Sequence, residues 1–224
     1  MKPATVELNL ASPQVMAIVN VTPDSFYAGS RNRTTEAIER RVLEAVGEGA
    51  LILDVGGYSS RPGAAEVPVE EEWARVKAGV GAVRRLAPAA VVSVDTFRSE
   101  VARRVLEEFG PVIINDISAG ELDPPMLDVV ARQGIPYVAM HMKGDPQTMQ
   151  SLTEYRRDIT TEVISYFRAR VERLLTWVSA ANKSSSIPVS ALPRPWTRTT
   201  NCSPACTACA TWVSRCWRDF RASR

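Results

Sequence analysis

The chain is poor in several residue types and patterns, and each shortage removes a class of function. Among 224 residues there is one histidine, His141, and no cysteine before Cys202, so any disulfide framework or thiolate metal site is confined to the end of the chain. No run of about 18 apolar residues occurs, and the first 20 residues lack the basic-then-apolar order of a secretory leader. A cytoplasmic protein with no membrane attachment is the expectation. Charge of one sign is not in excess either, the net charge being +2. A hydrophobic content of 45% is enough to build a core and excludes a chain disordered throughout.

What is present is unevenly spread. All four cysteines lie between Cys202 and Cys216, and four of the five tryptophans (Trp177, Trp196, Trp212 and Trp217) lie after residue 176. Residues 177 to 224 carry seven Lys or Arg against the single Asp219, which leaves the preceding body at about −4.

In the body, short β-branched apolar runs alternate with longer stretches of helical period, the pattern of βα units around a parallel sheet. The expected strands are Val15 to Asn20, Leu51 to Val55, Val91 to Asp95, Val112 to Asp116 and Pro136 to His141. The expected helices are Thr35 to Glu48, Glu70 to Leu86, Ser99 to Phe109, Pro124 to Gln133 and Leu152 to Leu175, with Ser99, Gly49 and Gly134 as cap signals. Asn20, Asp54, Asp95, Asn115 with Asp116, and His141 each fall at the C-terminal end of a strand, where parallel α/β folds place their sites. That coincidence favours a (β/α) barrel. The rival is a doubly wound sheet, but the loop after the first strand is Val21-Thr22-Pro23-Asp24-Ser25-Phe26, with no GxGxxG.

The segments Asn20-Val-Thr-Pro-Asp-Ser-Phe26, Asp54-Val-Gly-Gly-Tyr-Ser-Ser-Arg-Pro-Gly-Ala64, Ser93-Val-Asp-Thr96, Ile114-Asn-Asp-Ile-Ser118 and Met140-His-Met-Lys-Gly144 with Pro146-Gln-Thr-Met149 resemble, in that order, the motifs of dihydropteroate synthase. The resemblance implies an α/β fold of the (β/α)8 TIM-barrel type, of which residues 1 to 175 hold the first five βα units. It also implies a transferase of folate biosynthesis, a sulfonamide target, that joins 6-hydroxymethyl-7,8-dihydropterin diphosphate to p-aminobenzoate and releases diphosphate. Its partners are then these small molecules, with neither nucleic acid nor membrane involved. The family is often homodimeric, through helices beyond the matching part.

The residue types suit that chemistry. A dihydropterin offers an amide and an aminopyrimidine edge, which carboxylate and carboxamide groups can pair while apolar walls sandwich the ring. By resemblance Asp95 and Asn115 hold the pterin, with Ile117 and Met140 as its walls and Ser60 on the diphosphate side. Thr22, Pro23, Asp24 and Phe26, with Arg61 and Pro62, belong to loops that close over the substrates and shape the p-aminobenzoate pocket. Mg²⁺, bound by diphosphate and Asn20, is the expected cofactor. Many family members carry Glu and Thr where Tyr58 and Ser60 stand, a departure that keeps the hydroxyl at Ser60. No protein nucleophile is required, because departure of diphosphate leaves a cation that the ring delocalises. Taken alone, Asn20 and Asn115 also read as turn or cap residues and Asp95 as a helix N-terminal carboxylate. His141 reads either as a ligand contact or as a histidine satisfied by its fold. A barrel that transfers a methyl group from a folate is the alternative activity, and a non-catalytic pterin-binding fragment the alternative without one.

After residue 175 the resemblance stops. The family continues with a DPGxGF-like strand end, a GxSRKS-like strand end and a final Arg-x-His, none of which is present. Residues 176 to 224 are expected to be an irregular tail. Cys202-x3-Cys206-x2-Cys209 has the spacing of a radical-SAM cluster motif, but at the end of a chain rather than after an early strand, and the basic charge with interleaved Trp gives a similarly weak nucleic-acid signal. Reading the gene one base earlier gives a better account. Trp177-Val178 and Trp212-Val213 must then encode Gly, Trp196-Thr197 Asp, and Asn201-Cys202 and Cys216-Trp217 Leu. Lys183 to Thr197 can spell Ile-Ile-Leu-Asp-Pro-Gly-Phe-Gly-Phe-Ala-Lys-Thr-Val-Asp, and Arg218 to Arg224 can spell Gly-Phe-Ser-Arg-Lys-Ser. The tail therefore reads as an out-of-frame translation of the sixth and seventh βα units, and leucine codons read out of register explain the clustered cysteines and tryptophans.

Overall fold

The computed structural model describes residues 14–22, 31–59, 65–144, 158–181 and 189–193. Its elements alternate strictly: β1 (Met16–Asn20), α1 (Arg31–Gly47), β2 (Ile52–Gly56), α2 (Val69–Leu86), β3 (Val91–Asp95), α3 (Ser99–Phe109), β4 (Ile113–Asp116), α4 (Pro125–Gln133), β5 (Tyr137–His141), α5 (Ile159–Ala181) and β6 (Val189–Pro193). All neighbouring strands pair in parallel, in the order β1-β2-β3-β4-β5-β6. A doubly wound sheet needs a reversal of strand order, and none occurs. Sequential order with crossovers of one hand puts every helix on one face, and the sheet curls around the other. Among the described residues the curl stays open, because β1 and β6 each pair on one side only.

Both faces of the strands are apolar at their bases, which is why they read as short continuous runs. Alternate residues point outward under the helices: Leu53, Val55, Val92, Val94, Ile114, Tyr137 and Ala139 share one buried cluster with Ile38 and Val42 of α1, Val76 and Val80 of α2, and Val101 and Val105 of α3. The inward residues Ile52, Ile113 and Val138, with Met16 and Val91, form a plug at the N-terminal end. Toward the other end the inward positions turn polar.

The contact of α2 with the sheet depends on a missing side chain. A Cβ at Gly79 would stand 2.5 Å from Val55 Cγ1 and 2.9 Å from Val21 Cγ2. Gly79→Ala gains helix propensity worth about 1 kcal/mol, yet overpacking a core costs about 1–3 kcal/mol. Net destabilisation in urea unfolding is the expected result; a more stable variant would show that α2 shifts freely.

Element boundaries differ from the sequence expectation where side chains cap in unforeseen ways. Ser99 is the first helical residue rather than the cap: Arg98 occupies the cap without a side-chain bond, and the Ser99 amide donates to Asp123 Oδ2 at 2.7 Å. Gly134 ends α4 in the left-handed region as expected, its amide donating to Val130 O at 3.0 Å. The expectation of an irregular region from residue 176 needs correction, since α5 continues to Ala181 and Val189–Pro193 adds a sixth strand. The reason is that β5 presents an open edge, and any short extended segment that reaches it can satisfy the backbone groups there. Residues 152–157 of the expected fifth helix, and residues 182–188 and 194–224 of the expected tail, lie outside the described residues. No described helix is long and apolar enough to cross a membrane.

Candidate pterin pocket

The strands deliver their polar residues to one end of the inner face. Asn20, Gly56 and Asp95 stand side by side across β1, β2 and β3, and Asp95 is in register with Asn115 of β4. Gly56 makes this convergence possible. A Cβ there would lie 3.5 Å from Asp95 Oδ2 and 3.6 Å from Asn20 Oδ1, so the two oxygens face each other across the space that the glycine leaves.

One layer deeper, Asp54 is buried and accepts hydrogen bonds from Ser93 Oγ (2.6 Å) and Asn115 Nδ2 (2.9 Å). Only the amino group of Asn115 can donate to that carboxylate, which turns Oδ1 of the carboxamide the other way. That oxygen is buried and has no hydrogen-bond partner among the described residues. A buried acceptor without a partner costs about 1–3 kcal/mol, so the site is poised for a donor from a ligand. Ile117 and Met140 lie against each other with Met142 and Phe97, an apolar wall beside these polar groups.

Burial raises the carboxyl of Asp54 above its ordinary value of 3.8, against the pull of the bonds from Ser93 and Asn115. A raised native value means that the folded chain holds the proton more tightly than the unfolded chain. The stabilisation linked to this group is therefore complete below pH 3.8 and is lost as pH rises through the native value. In Asp54→Asn the new amide accepts from Asn115 through Oδ1 and donates to Ser93 Oγ through Nδ2, keeping both contacts. Its stability is expected to fall less steeply with pH above 3.8, the difference reaching at most about 1.4 kcal/mol per pH unit. Equilibrium unfolding across that range checks this, and parallel slopes would count against it.

The paired strand-end residues Asn115 and Asp116 divide their work. Asp116 points to the helix face, where Oδ1 accepts from the Ser118 amide and Oγ (both 2.8 Å) and Oδ2 from the Gly120 amide (2.8 Å) and Tyr137 Oη (2.7 Å). It builds the turn, which includes left-handed Ala119 and Gly120, that sets Ile117 against Met140. The turn role that Asn115 alone could have filled thus falls to its neighbour. His141 also faces outward, buried, with its ring edge-on to Tyr166 at 4.7 Å and to Phe167 at 6.4 Å. Its position under α5 favours a packed histidine over a ligand contact.

Of the residues singled out from the sequence, Asn20, Asp95 and Asn115 come together, with Ile117 and Met140 beside them. Thr22 is buried just past β1. Pro23, Asp24, Phe26, Ser60, Arg61 and Pro62 lie outside the described residues. Sequence reasoning assigned no role to Asp54, Ser93, Phe97 or Met142. Asp54 stood among the strand-end polar residues without a role, and strand alternation could have found Ser93, which stands two residues before the inward strand-end Asp95.

A sequence profile described as pterin binding enzyme matches residues 16–183, past the expected end of the resemblance. Dihydropteroate synthase of Escherichia coli is 44% identical over 167 residues, which cover 74% of this chain and 57% of that protein. The structure of Xanthomonas albilineans dihydropteroate synthase with 4-aminobenzoic acid superposes with a TM-score of 0.65 at 41% identity, over 76% of this chain and 59% of that one. The same bacterium's enzyme in complex with 7,8-dihydropteroate gives 0.68 at 31% identity, over 93% and 71%. The chain thus spans little more than half the length of the Escherichia coli relative.

Proposed function

Because the chain belongs to the family of pterin-binding enzymes, we propose that its strand-end pocket binds 6-hydroxymethyl-7,8-dihydropterin diphosphate and is the pterin half of a dihydropteroate synthase site. The observation that carries the reading is the buried Oδ1 of Asn115, without a partner among the described residues, beside the Asp95 carboxylate. A carboxylate accepting from an amino-pyrimidine edge and a carboxamide oxygen accepting from a further ring N–H would read the pterin. Ile117 and Met140 would lie against its faces.

In this reading the bond between the pterin methylene and the diphosphate oxygen breaks, and the ring carries the positive charge. The amine of p-aminobenzoate then supplies the electron pair for the new C–N bond and loses a proton to water. The chain's residues bind, orient and exclude water rather than bond to the substrate. Thr22, Pro23, Asp24, Phe26, Ser60, Arg61 and Pro62 would serve the diphosphate and p-aminobenzoate side. Mg²⁺ fits the donor set. Asn20 Oδ1 and Asp95 Oδ2 both border the space over Gly56, and the described residues hold no cluster of three or more His, Cys, Asp or Glu. Mg²⁺ takes most of its ligands from phosphate and water and needs no such cluster. Asn20 would hold the ion, which when bound neutralises the charge of the leaving diphosphate. Isothermal titration of the 224-residue chain with the pterin diphosphate tests the proposal, and absence of heat at millimolar ligand would sink it. A cytoplasmic location belongs to the same proposal, and cell fractionation tests it.

The sheet, open among the described residues, favours a second reading, a pterin-binding form without turnover. We further infer that the reading frame changes near Leu175, as the out-of-frame reading from Trp177-Val178 onward requires. Sequencing the gene across codons 175 to 190 tests this, with downstream family motifs open in another register as the expected result.

A further inference from the structure

We infer that Glu72, through its bonds to Thr96 and Arg98, is a positioning residue that holds the backbone carrying Asp95 in register with the start of the loop after β2. The inference rests on the pterin reading of the pocket for its functional part only.

Glu72 is in the first turn of α2 and fully buried, an unusual place for a carboxylate. Thr96 Oγ1 donates to Glu72 Oε1 and Arg98 Nη1 donates to Glu72 Oε2, both at 2.6 Å. Thr96 directly follows Asp95. Its amide donates to Asn115 O at 3.0 Å, and its hydroxyl accepts from the Arg98 amide at 3.1 Å. The two residues after Asp95 are thereby tied to β4 on one side and to α2 on the other. The same helix also holds the loop after β2, where Arg75 Nη1 donates to Gly57 O at 3.0 Å. A Cβ at Gly57 would stand 2.9 Å from Glu72 O, an approach that only glycine permits.

Arg98 completes the junction. Its guanidinium lies 5.2 Å from the ring centres of both Tyr58 and Phe97, which meet edge-on at 5.1 Å. Phe97 in turn packs against Ile117, Met140 and Met142. One buried ion pair therefore touches the loop after β2, the residue next to Asp95 and the apolar wall. Burial pushes the Glu72 carboxyl up, while Thr96 and Arg98 pull it back. A buried charge of this kind gives little net stability compared with a well-packed apolar residue, so stability alone is a weak reason for it. Fixing the relative position of three segments is a better one.

The test uses the full chain as wild type, Glu72→Gln and Thr96→Val, the last keeping shape while removing the hydroxyl. Two measurements are made: hydrogen exchange in the ligand-free chain and titration with the pterin diphosphate. Expected are exchange about tenfold faster at residues 57–59 and 96–98 with β5 unchanged, and affinity weakened about tenfold. Exchange that is unchanged at 96–98, or that rises uniformly through the sheet, overturns the positioning role. If the local pattern appears but the wild type binds no pterin, the positioning role stands and the pterin reading fails. If pterin binds equally to all three forms, Glu72 serves the loop without serving the pocket, and the inference fails.

Discussion

Asp95→Ala is expected to weaken pterin binding by at least about a hundredfold, and Asn115→Ala by a similar factor, because each leaves ring N–H groups buried without an acceptor at about 1–3 kcal/mol apiece. Sites built to pair a polar edge reject the mismatched partner strongly, by up to about 10⁴-fold. Asn115→Ala carries a second cost, since it removes the donor of the hydrogen bond that Asp54 Oδ2 accepts. Asp95 is half-buried at the strand end. Titration calorimetry reads both variants, with thermal unfolding confirming that each is folded and exposed Arg132→Ala as a control. Wild-type affinity in either folded variant would remove that residue from the pterin site.

Purified 1–224 is expected to form no dihydropteroate from pterin diphosphate and p-aminobenzoate, and to bind a dye specific for exposed apolar surface. Ile18 is in register with Asp54 on the inner face, yet it is 56% exposed, because nothing described lies beyond β1. Val15 and Leu51 at the same edge are 59% and 57% exposed, and Leu43 and Val46 of α1 also face outward. Arg41 Nε donates to Ile18 O at 3.2 Å, covering one carbonyl of a strand that, among the described residues, pairs on one side only. A pocket that, among the described residues, has no wall on that side admits water to the pterin methylene as its leaving group departs, and the fixed dipoles that make such sites effective act in a bulk-like dielectric. Binding can survive this, because Asp95, Asn115, Ile117 and Met140 come from the closed part of the curve. Turnover at even a thousandth of the rate of a full-length relative, or a soluble monomer that binds no dye, would refute the expectation.

Much of the architecture was legible before any coordinates because its signals are local. The βα alternation is written in residue chemistry: valine-rich runs such as Val91–Val94 are buried on both faces, and the segments between them carry helical period. Strand-end polarity pointed to Asn20, Asp95 and Asn115 for the same reason. A polar residue at the end of an apolar run has to meet something polar, and in a parallel sheet all such ends lie together. The cap of α3 was not legible, because its donor's partner is Asp123, far away in the chain. Nor was the sixth strand, whose residues have weak strand character and gain it from the free edge of β5.

The sequence by itself determined which residue types stand at the strand ends, the order of the elements and the family to which they belong. Only the tertiary structure decided how neighbouring carboxylates divide their work. Asp54 supports Asn115, Asp116 shapes the turn below Ile117, and Glu72 binds three segments from a helix the motif reading passed over. The physical reason is that a carboxylate's role depends on which donors surround it and how much water is excluded. For Asp54 and Glu72 both are set by residues 24 to 61 positions away in the chain, which only folding brings within hydrogen-bond reach, whereas the donors that turn Asp116 to the helix face also include the nearby Ser118 and Gly120.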